Sequence, residues 1–178
     1  MSPAILSAEY VIMAAMSGYR LRDAWPWRRF TLETTLPPAE AAAALAGQIG
    51  PGSAFRGART GPLQFRISRV IAYRNSFLPV VGVTIEPRPS GGARVLVTMR
   101  MMAPVIVFMA FWMTGATGAA LFGVTLLTRG SPAGLAALLF PLFGAALAGG
   151  GFSYEARRAQ QLLRDLFPAP PEGDSPYR

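Results

Sequence analysis

The sequence lacks cysteine, histidine and lysine, and these absences exclude several kinds of chemistry. Without cysteine, the chain forms no disulfide framework and offers no thiolate nucleophile. Without cysteine and histidine, it has neither a Cys/His zinc site nor haem ligation by those residues. Without lysine, there is no Schiff base, no P-loop lysine and no lysine general base. All 17 basic residues are therefore arginines.

Charge of either sign is scarce. Charged residues make up 15% of the 178 residues and hydrophobic residues 52%, whereas a soluble domain has about 25% charged residues. This length allows one modest domain, or a small domain with a membrane anchor. The composition argues against an ordinary cytosolic domain.

The chemistry-bearing residues do not form a catalytic pattern. The few acids of the polar half show no paired-carboxylate spacing, and Ser68 and Ser76 have no histidine or lysine to activate them. Gly91-Gly92 is typical of a hairpin turn and not of a phosphate-binding loop. The sequence therefore predicts a protein without catalytic residues, metal or cofactor.

The charge is divided unevenly along the chain. Residues 20–100 contain twelve arginines and four acids, a net charge of +8. Residues 101–154 contain one charged residue, Arg129, and from Glu155 onward four arginines balance four acids. The chain is thus a basic half, an apolar half and a short neutral tail.

Two apolar runs, 103–127 and 133–152, are each long enough to cross a hydrocarbon core of about 30 Å. The turn between them, 128–132, is short, so the runs predict a transmembrane hairpin. The alternative is a pair of buried helices, but the rest of the chain is too small to cover both. Arginines flank the hairpin on its terminal side, which predicts an inner-membrane protein with both termini in the cytoplasm. The Arg-, Ala-, Gly- and Pro-rich composition favours a bacterial source.

The polar half predicts an α+β fold. Residues 30–36 alternate apolar and polar as a half-buried strand does. A helix begins near Pro38 and stops at 50–52, and four further strands are expected at 54–59, 63–73, 80–86 and 94–101. In the last two strands the alternation predicts a buried face made of Val81, Val83, Ile85, Val95, Val97 and Met99. The order β-α-β-β-β-β predicts a small antiparallel sheet with one helix, followed by the hairpin and a short amphipathic helix over 154–167.

The expected division of the chain follows from these segments. An N-terminal extension, partly disordered, covers 1–29, and the basic α+β domain covers 30–101. The hairpin covers 102–153. The amphipathic helix and a disordered tail cover 154–178, and this helix either lies along the membrane interface or docks on the sheet.

The segment 66–79 is the strongest candidate for binding an anion or a protein partner. Guanidinium groups on one sheet can bind phosphate, a lipid head group or an acidic protein. Alternatively, the arginines are solvated and Asn75 and Ser76 only form a turn. The candidate binding residues are Arg66, Arg69, Tyr73, Arg74, Asn75 and Ser76.

Two other groups are candidate membrane residues. Trp25, Trp27, Arg28 and Arg29 have the composition of a membrane interface. The same mixture could stack on nucleic acid, which is the less favoured partner, or could merely pack one tryptophan on the sheet. In the hairpin, small residues recur at helix-packing spacing, where they either close the hairpin or also drive a homo-oligomer. These residues are Gly115, Ala119, Gly123, Gly144 and Ala148.

The segment Phe65 to Gly82, with its Tyr-Arg-Asn-Ser-Phe-Leu-Pro string at 73–79, resembles a family of small uncharacterised bacterial membrane proteins. In that family a sheet domain precedes two membrane helices, and a basic helix beginning near an aromatic-x-Glu pattern follows. Phe152 and Glu155 are similar to that pattern. The resemblance covers about 30–167. It implies the architecture and implies no activity.

These observations favour a non-enzymatic, membrane-tethered binding or accessory module. Its basic sheet surface would engage a protein partner or anionic membrane lipid. The main alternative is a ligand-sensing effector that oligomerises through its glycine-rich hairpin and perturbs the bilayer. A third possibility, an enzyme of membrane lipid chemistry, has the least support because histidine, cysteine and lysine are absent.

Overall fold

The computed structural model describes residues 27–170, which form five strands and three helices. The strands are β1 (Trp27–Thr34), β2 (Phe55–Gly61), β3 (Gln64–Arg69), β4 (Val80–Pro87) and β5 (Ala93–Arg100). The helices are α1 (Pro38–Gly47), α2 (Ala103–Thr128) and α3 (Ala133–Leu166). The predicted N-terminal extension and disordered tail lie mostly outside the described residues.

The strands form one antiparallel sheet in the order β1-β5-β4-β3-β2. In the central strands, alternate side chains are buried, because successive residues of a strand point to opposite faces. The buried set was predicted from the alternation and is confirmed: Val81, Val83 and Ile85 on β4, and Val95, Val97 and Met99 on β5. The α+β fold class is likewise confirmed.

Two helical segments cover the inner face of the sheet. Helix α1 follows Pro37 with a proline at its first position, as predicted, and buries Ala41, Ala42 and Leu45. The C-terminal part of α3 buries Phe152, Ala156, Ala159 and Leu163 in the same cluster, and Phe167, just past its end, joins them. The outer face has no covering element among residues 27–170.

The strand boundaries differ from the predicted ones in β1, which covers 27–34 and not 30–36, and most of all in β3. The alternation suggested a strand to Tyr73, but β3 ends at Arg69. Beyond that point, Tyr73 and Asn75 bond to a carboxylate on α3 and not within the sheet.

Helices α2 and α3 form the predicted hairpin, and both are long and apolar enough to cross a membrane. Their apolar side chains are largely exposed. Phe111, for example, is 80% exposed and Leu121 68%. Side chains of this kind are usually buried in the core of a soluble domain, whereas here they remain exposed.

The C-terminal amphipathic segment continues α3 without a break. It follows the hairpin as predicted, but it is an extension of the same helix. Of the two expected locations, it takes the docked one, because Leu163 and Phe167 are buried against the sheet. One rigid helix therefore connects the hairpin to the sheet domain.

Candidate functional site

Of the five strand arginines on the outer face of the sheet, Arg94 pairs with Glu33, and the other four form a set of their own. Each lies one position away from an inward-facing residue: Arg66, for example, lies between buried Phe65 and Ile67. All four are exposed, and none forms an ion pair with another residue of the described chain. We call this set the basic face: Arg29, Arg56, Arg66 and Arg100.

A groove crosses the basic face at Gly82. The register aligns Arg29, Thr98, Gly82 and Arg66 across four strands. Because neighbouring strands are about 4.8 Å apart, the Cα atoms of Arg29 and Arg66 lie about 14 Å from each other. Because Gly82 has no side chain, the surface is depressed there and opens a groove of 420 Å³. Its polar lining consists of Arg66, Arg100, Thr60, Gln64, Thr84 and Thr98.

The acids of the outer face lie at its far end, beside the β4–β5 turn. Glu33 forms ion pairs with Arg88 at 3.3 Å and with Arg94 at 3.7 Å, and Glu86 lies opposite Arg94 in the register. The end of β5 nearer the hairpin contains Arg100. The face is therefore neutralised at one end and positively charged towards the hairpin.

Arg69 follows Arg66 by three residues and lies on the inner face, because an odd separation reverses the side of a strand. Its Nε donates a hydrogen bond to Oε2 of Glu155 at 3.0 Å, and its Nη2 donates to the same oxygen at 2.5 Å. Glu155 is fully buried, whereas the Arg69 side chain remains 17% exposed. This pair joins the edge of the sheet to α3.

Tyr73 and Asn75 complete the set of donors to Glu155. The Tyr73 hydroxyl and Nδ2 of Asn75 both donate to Oε1, the amide at 3.3 Å. Nη2 of Arg69 also donates to the Tyr73 hydroxyl at 3.2 Å. Both carboxylate oxygens are thus satisfied, as a buried charge requires. We call Arg69, Tyr73, Asn75 and Glu155 the anchor cluster.

The anchor cluster alters the titration of its members. The hydrogen bond to the Glu155 carboxylate raises the pKa of Tyr73 above its ordinary value, and the charge of Glu155 adds to this effect. Desolvation by burial opposes the charged form of Arg69, but the hydrogen bond and charge of Glu155 outweigh it and raise the pKa of Arg69. These shifts reflect a tightly bonded structural cluster.

The loop after Tyr73 also packs on α3. Oδ1 of Asn75 accepts a hydrogen bond from the Phe77 backbone N–H at 2.9 Å, which forms the turn expected of asparagine. The Phe77 ring lies on Gly151, where an added Cβ would come within 3.0 Å of Cδ2. Gly151 and Glu155 are one helical turn apart, so the loop contacts α3 at two successive turns.

The six predicted binding residues therefore separate into three places. Arg69, Tyr73 and Asn75 belong to the anchor cluster, and their polar groups bond within the protein. Arg66 belongs to the basic face. Arg74 and Ser76 line a cleft against the start of α2. The structure does not bring the three arginines together on one surface.

The predicted interface residues are also divided. Trp27, 53% exposed, begins β1 opposite Arg100, at the hairpin end of the outer face. Arg29 lies on the same face, whereas Arg28 alternates to the inner side. Trp25 lies outside the described residues.

The small residues of the hairpin have two different environments. Gly123, Gly144 and Ala148 are buried between α2 and α3. At Gly144 an added Cβ would lie 1.9 Å from the Trp112 ring, so this glycine is needed to close the hairpin. Gly115 and Ala119 are exposed on the other side of α2, and an added Cβ at Gly115 would meet nothing.

Sequence analysis missed Arg56 and Arg100 of the basic face and the role of Glu155. The signal for Glu155 was present: Arg69 shares its strand face with Phe65 and Ile67, and an arginine on a buried face requires an acidic partner. Within residues 27–170, no group of three acids is placed to hold a metal ion.

Comparison with known proteins does not assign this site. No family model, no curated protein and no solved structure matches the chain. The resemblance noted for 73–79 therefore stays a prediction.

Proposed function

We propose that this protein is a membrane-anchored, non-enzymatic binding module that holds an acidic partner protein beside a bacterial inner membrane. The observation that supports the proposal most strongly is the basic face. Its four exposed arginines have no acidic partner among the described residues, and the acids of that face are segregated at the far end. Guanidinium groups in this arrangement favour carboxylates, which they bind through paired hydrogen bonds.

A protein partner fits this face better than a flat bilayer does. Helix α3 continues past residue 152 for about 21 Å along the inner face, so the outer face is turned away from the helix. Most of the outer face is therefore open to water. The groove at Gly82 could receive an extended segment whose carboxylates reach Arg66 and Arg100.

The proposed membrane position rests on the exposed apolar surface of the hairpin. Arginines precede α2 and follow the apolar part of α3, whereas the hairpin tip has one, Arg129. This bias supports a cytoplasmic location for the sheet domain and both termini.

Cysteine labelling tests the orientation cleanly, because the chain has no cysteine of its own. Ser90, exposed in the β4–β5 turn, and Ser131, at the hairpin tip, are replaced singly by cysteine. A membrane-impermeant thiol reagent should label intact cells at Ser131→Cys only, and Ser90→Cys only after permeabilisation. Labelling of Ser90→Cys in intact cells would overturn the proposed orientation.

Binding is tested on the full chain in nanodiscs of zwitterionic lipid, with a fluorescent oligoglutamate peptide as the probe. The double variant Arg66→Gln/Arg100→Gln should bind about tenfold more weakly, because it removes two exposed charge contacts. The matched control, Arg129→Gln/Arg164→Gln, loses the same charge at exposed sites off the basic face and should bind as the unmodified protein does.

Equal weakening in both double variants would show that only net charge matters and would overturn the proposal. Binding to phosphatidylglycerol vesicles through Arg66 and Arg100, with no binding of the peptide, would identify lipid as the ligand instead. A further variant, Gly82→Thr, fills the groove without backbone strain, since its Cβ would lie 3.8 Å from the nearest atom. It should weaken peptide binding while the charge is unchanged.

The alternative effector function depends on the exposed side of α2. Gly144 closes the hairpin itself, so it is not free to join copies. Gly115 and Ala119 are exposed and are the residues of that hypothesis that remain available. Overexpression toxicity that Gly115→Leu abolishes would favour the effector, and harmless overexpression of the unmodified protein would count against it.

A further inference from the structure

A second cleft lies where the 74–77 loop meets the first turns of α2. Its volume is 500 Å³. One wall contains the loop residues Arg74, Ser76 and Phe77. The other contains Pro104, Val105 and Phe108 of α2. The cleft is separate from the groove on the basic face and shares no lining residue with it.

The two walls differ in polarity. Arg74 is exposed and forms no ion pair with any residue from 27 to 170. Phe108, by contrast, is 60% exposed and belongs to the apolar run of α2. The cleft is thus lined by a cation on one side and by an apolar helix surface on the other. No acidic residue lines it.

The anchor cluster fixes the shape of this cleft. Asn75 bonds to Glu155 and to the Phe77 backbone, and Phe77 packs on Gly151. The loop is therefore held against α3 while it faces α2. Arg74 is consequently kept near the point where α2 begins, three residues after β5 ends at Arg100.

We propose that this cleft binds one anionic phospholipid. Its phosphate would lie at Arg74 and the Ser76 hydroxyl, and an acyl chain would follow Phe77 and Phe108. A guanidinium binds phosphate through charge-assisted hydrogen bonds, and the first turns of a membrane helix lie at head-group depth. An anionic head group is favoured over a zwitterionic one because the site offers no carboxylate for a choline cation. This inference rests on the proposed membrane position, but not on the acidic partner.

The test uses the full chain in neutral detergent, stripped of lipid and titrated with phosphatidylglycerol under native mass spectrometry. One phosphatidylglycerol should bind, and phosphatidylcholine should bind more weakly. Arg74→Gln should weaken phosphatidylglycerol binding about tenfold. The matched control is Arg129→Gln, an exposed arginine at the hairpin tip, which should have no effect.

A second variant tests the space in the cleft and not its charge. Ser76→Trp places a large side chain in the cleft and should also displace the lipid, with the thermal unfolding midpoint measured alongside. Three results would each overturn the proposal. They are equal affinities of Arg74→Gln and Arg129→Gln for phosphatidylglycerol, equal binding of the two lipids, and displacement of the lipid by soluble glycerol phosphate. Arg74→Gln should still bind the oligoglutamate peptide, so the lipid site and the basic face fail separately.

Discussion

Arg66 and Arg69 lie on the same strand, three residues apart, and their environments are opposite. Arg66 is exposed on the basic face beside the Gly82 groove. Arg69 points to the inner face and donates two hydrogen bonds to the buried Glu155. The strand thus presents one cation to solvent and commits the other to the fold. The number of arginines in a segment therefore does not indicate how many of them can bind a partner.

The segment 69–79 joins the sheet domain to α3. This segment has a distinctive sequence, yet Arg69, Tyr73, Asn75 and Phe77 all contact α3. Their shared effect is to fix the sheet domain to the helix that continues into the hairpin. The basic face is thereby held in one orientation relative to the proposed membrane.

The largest expected effect comes from breaking the anchor cluster. Arg69→Ala leaves Glu155 buried without its cation, which should destabilise the fold by about 3 kcal/mol. Thermal unfolding in detergent, followed by near-UV circular dichroism, measures the loss. The double variant Arg69→Met/Glu155→Leu should recover most of it, because a packed apolar pair needs no compensation. Failure of the double variant to recover stability would show that the loss is not electrostatic.

A smaller loss should follow from separating the loop from α3 at Gly151. A valine there forces Phe77 away, at a cost of about 2 kcal/mol. The matched control is Gly118→Val, since an added Cβ at Gly118 meets nothing within 4 Å. The same melting experiment compares them, and equal midpoints for the two variants would contradict the packing of Phe77 on α3.

The sequence predicts which faces of the strands are buried, but not the contacts between residues far apart in the chain. Period-two alternation correctly predicted the inward faces of β4 and β5, because one buried face determines that pattern locally. The anchor cluster joins residues 80 to 86 positions apart, and no local pattern links them. The opposite faces of Arg66 and Arg69 were available from the odd spacing alone. The bonding of Tyr73 and Asn75 was not, because their partner Glu155 is 80 or more positions away.

The stabilising effect of the Tyr73 hydrogen bond to Glu155 should depend on pH. Its pKa is raised in the folded state, so its contribution to stability is fully present below about pH 10, its unfolded pKa. That contribution is lost as the pH rises through the folded value. Tyr73→Phe should therefore melt below the unmodified protein at neutral pH, and the difference should shrink above about pH 10. A difference that is independent of pH would contradict the hydrogen bond to the Glu155 carboxylate.

The smallest expected effect on stability is that of Arg66→Gln. Arg66 is exposed and has no ion-pair partner among the described residues, so the unfolding free energy should change by no more than about 0.5 kcal/mol. Peptide binding should nevertheless weaken several-fold. Circular dichroism and the oligoglutamate assay measure the two quantities on the same sample, and a large drop in melting temperature would show that Arg66 has a structural partner.

The opposite roles of Arg66 and Arg69 are tested most directly by comparing Arg66→Gln with Arg69→Gln under the same conditions, with stability and peptide affinity measured for both. We expect Arg69→Gln to lower the unfolding midpoint while the folded fraction keeps its affinity for the oligoglutamate peptide. We expect Arg66→Gln to leave the midpoint unchanged and to weaken binding. If both variants changed the same property, the division of β3 into a binding side and an anchoring side would be wrong.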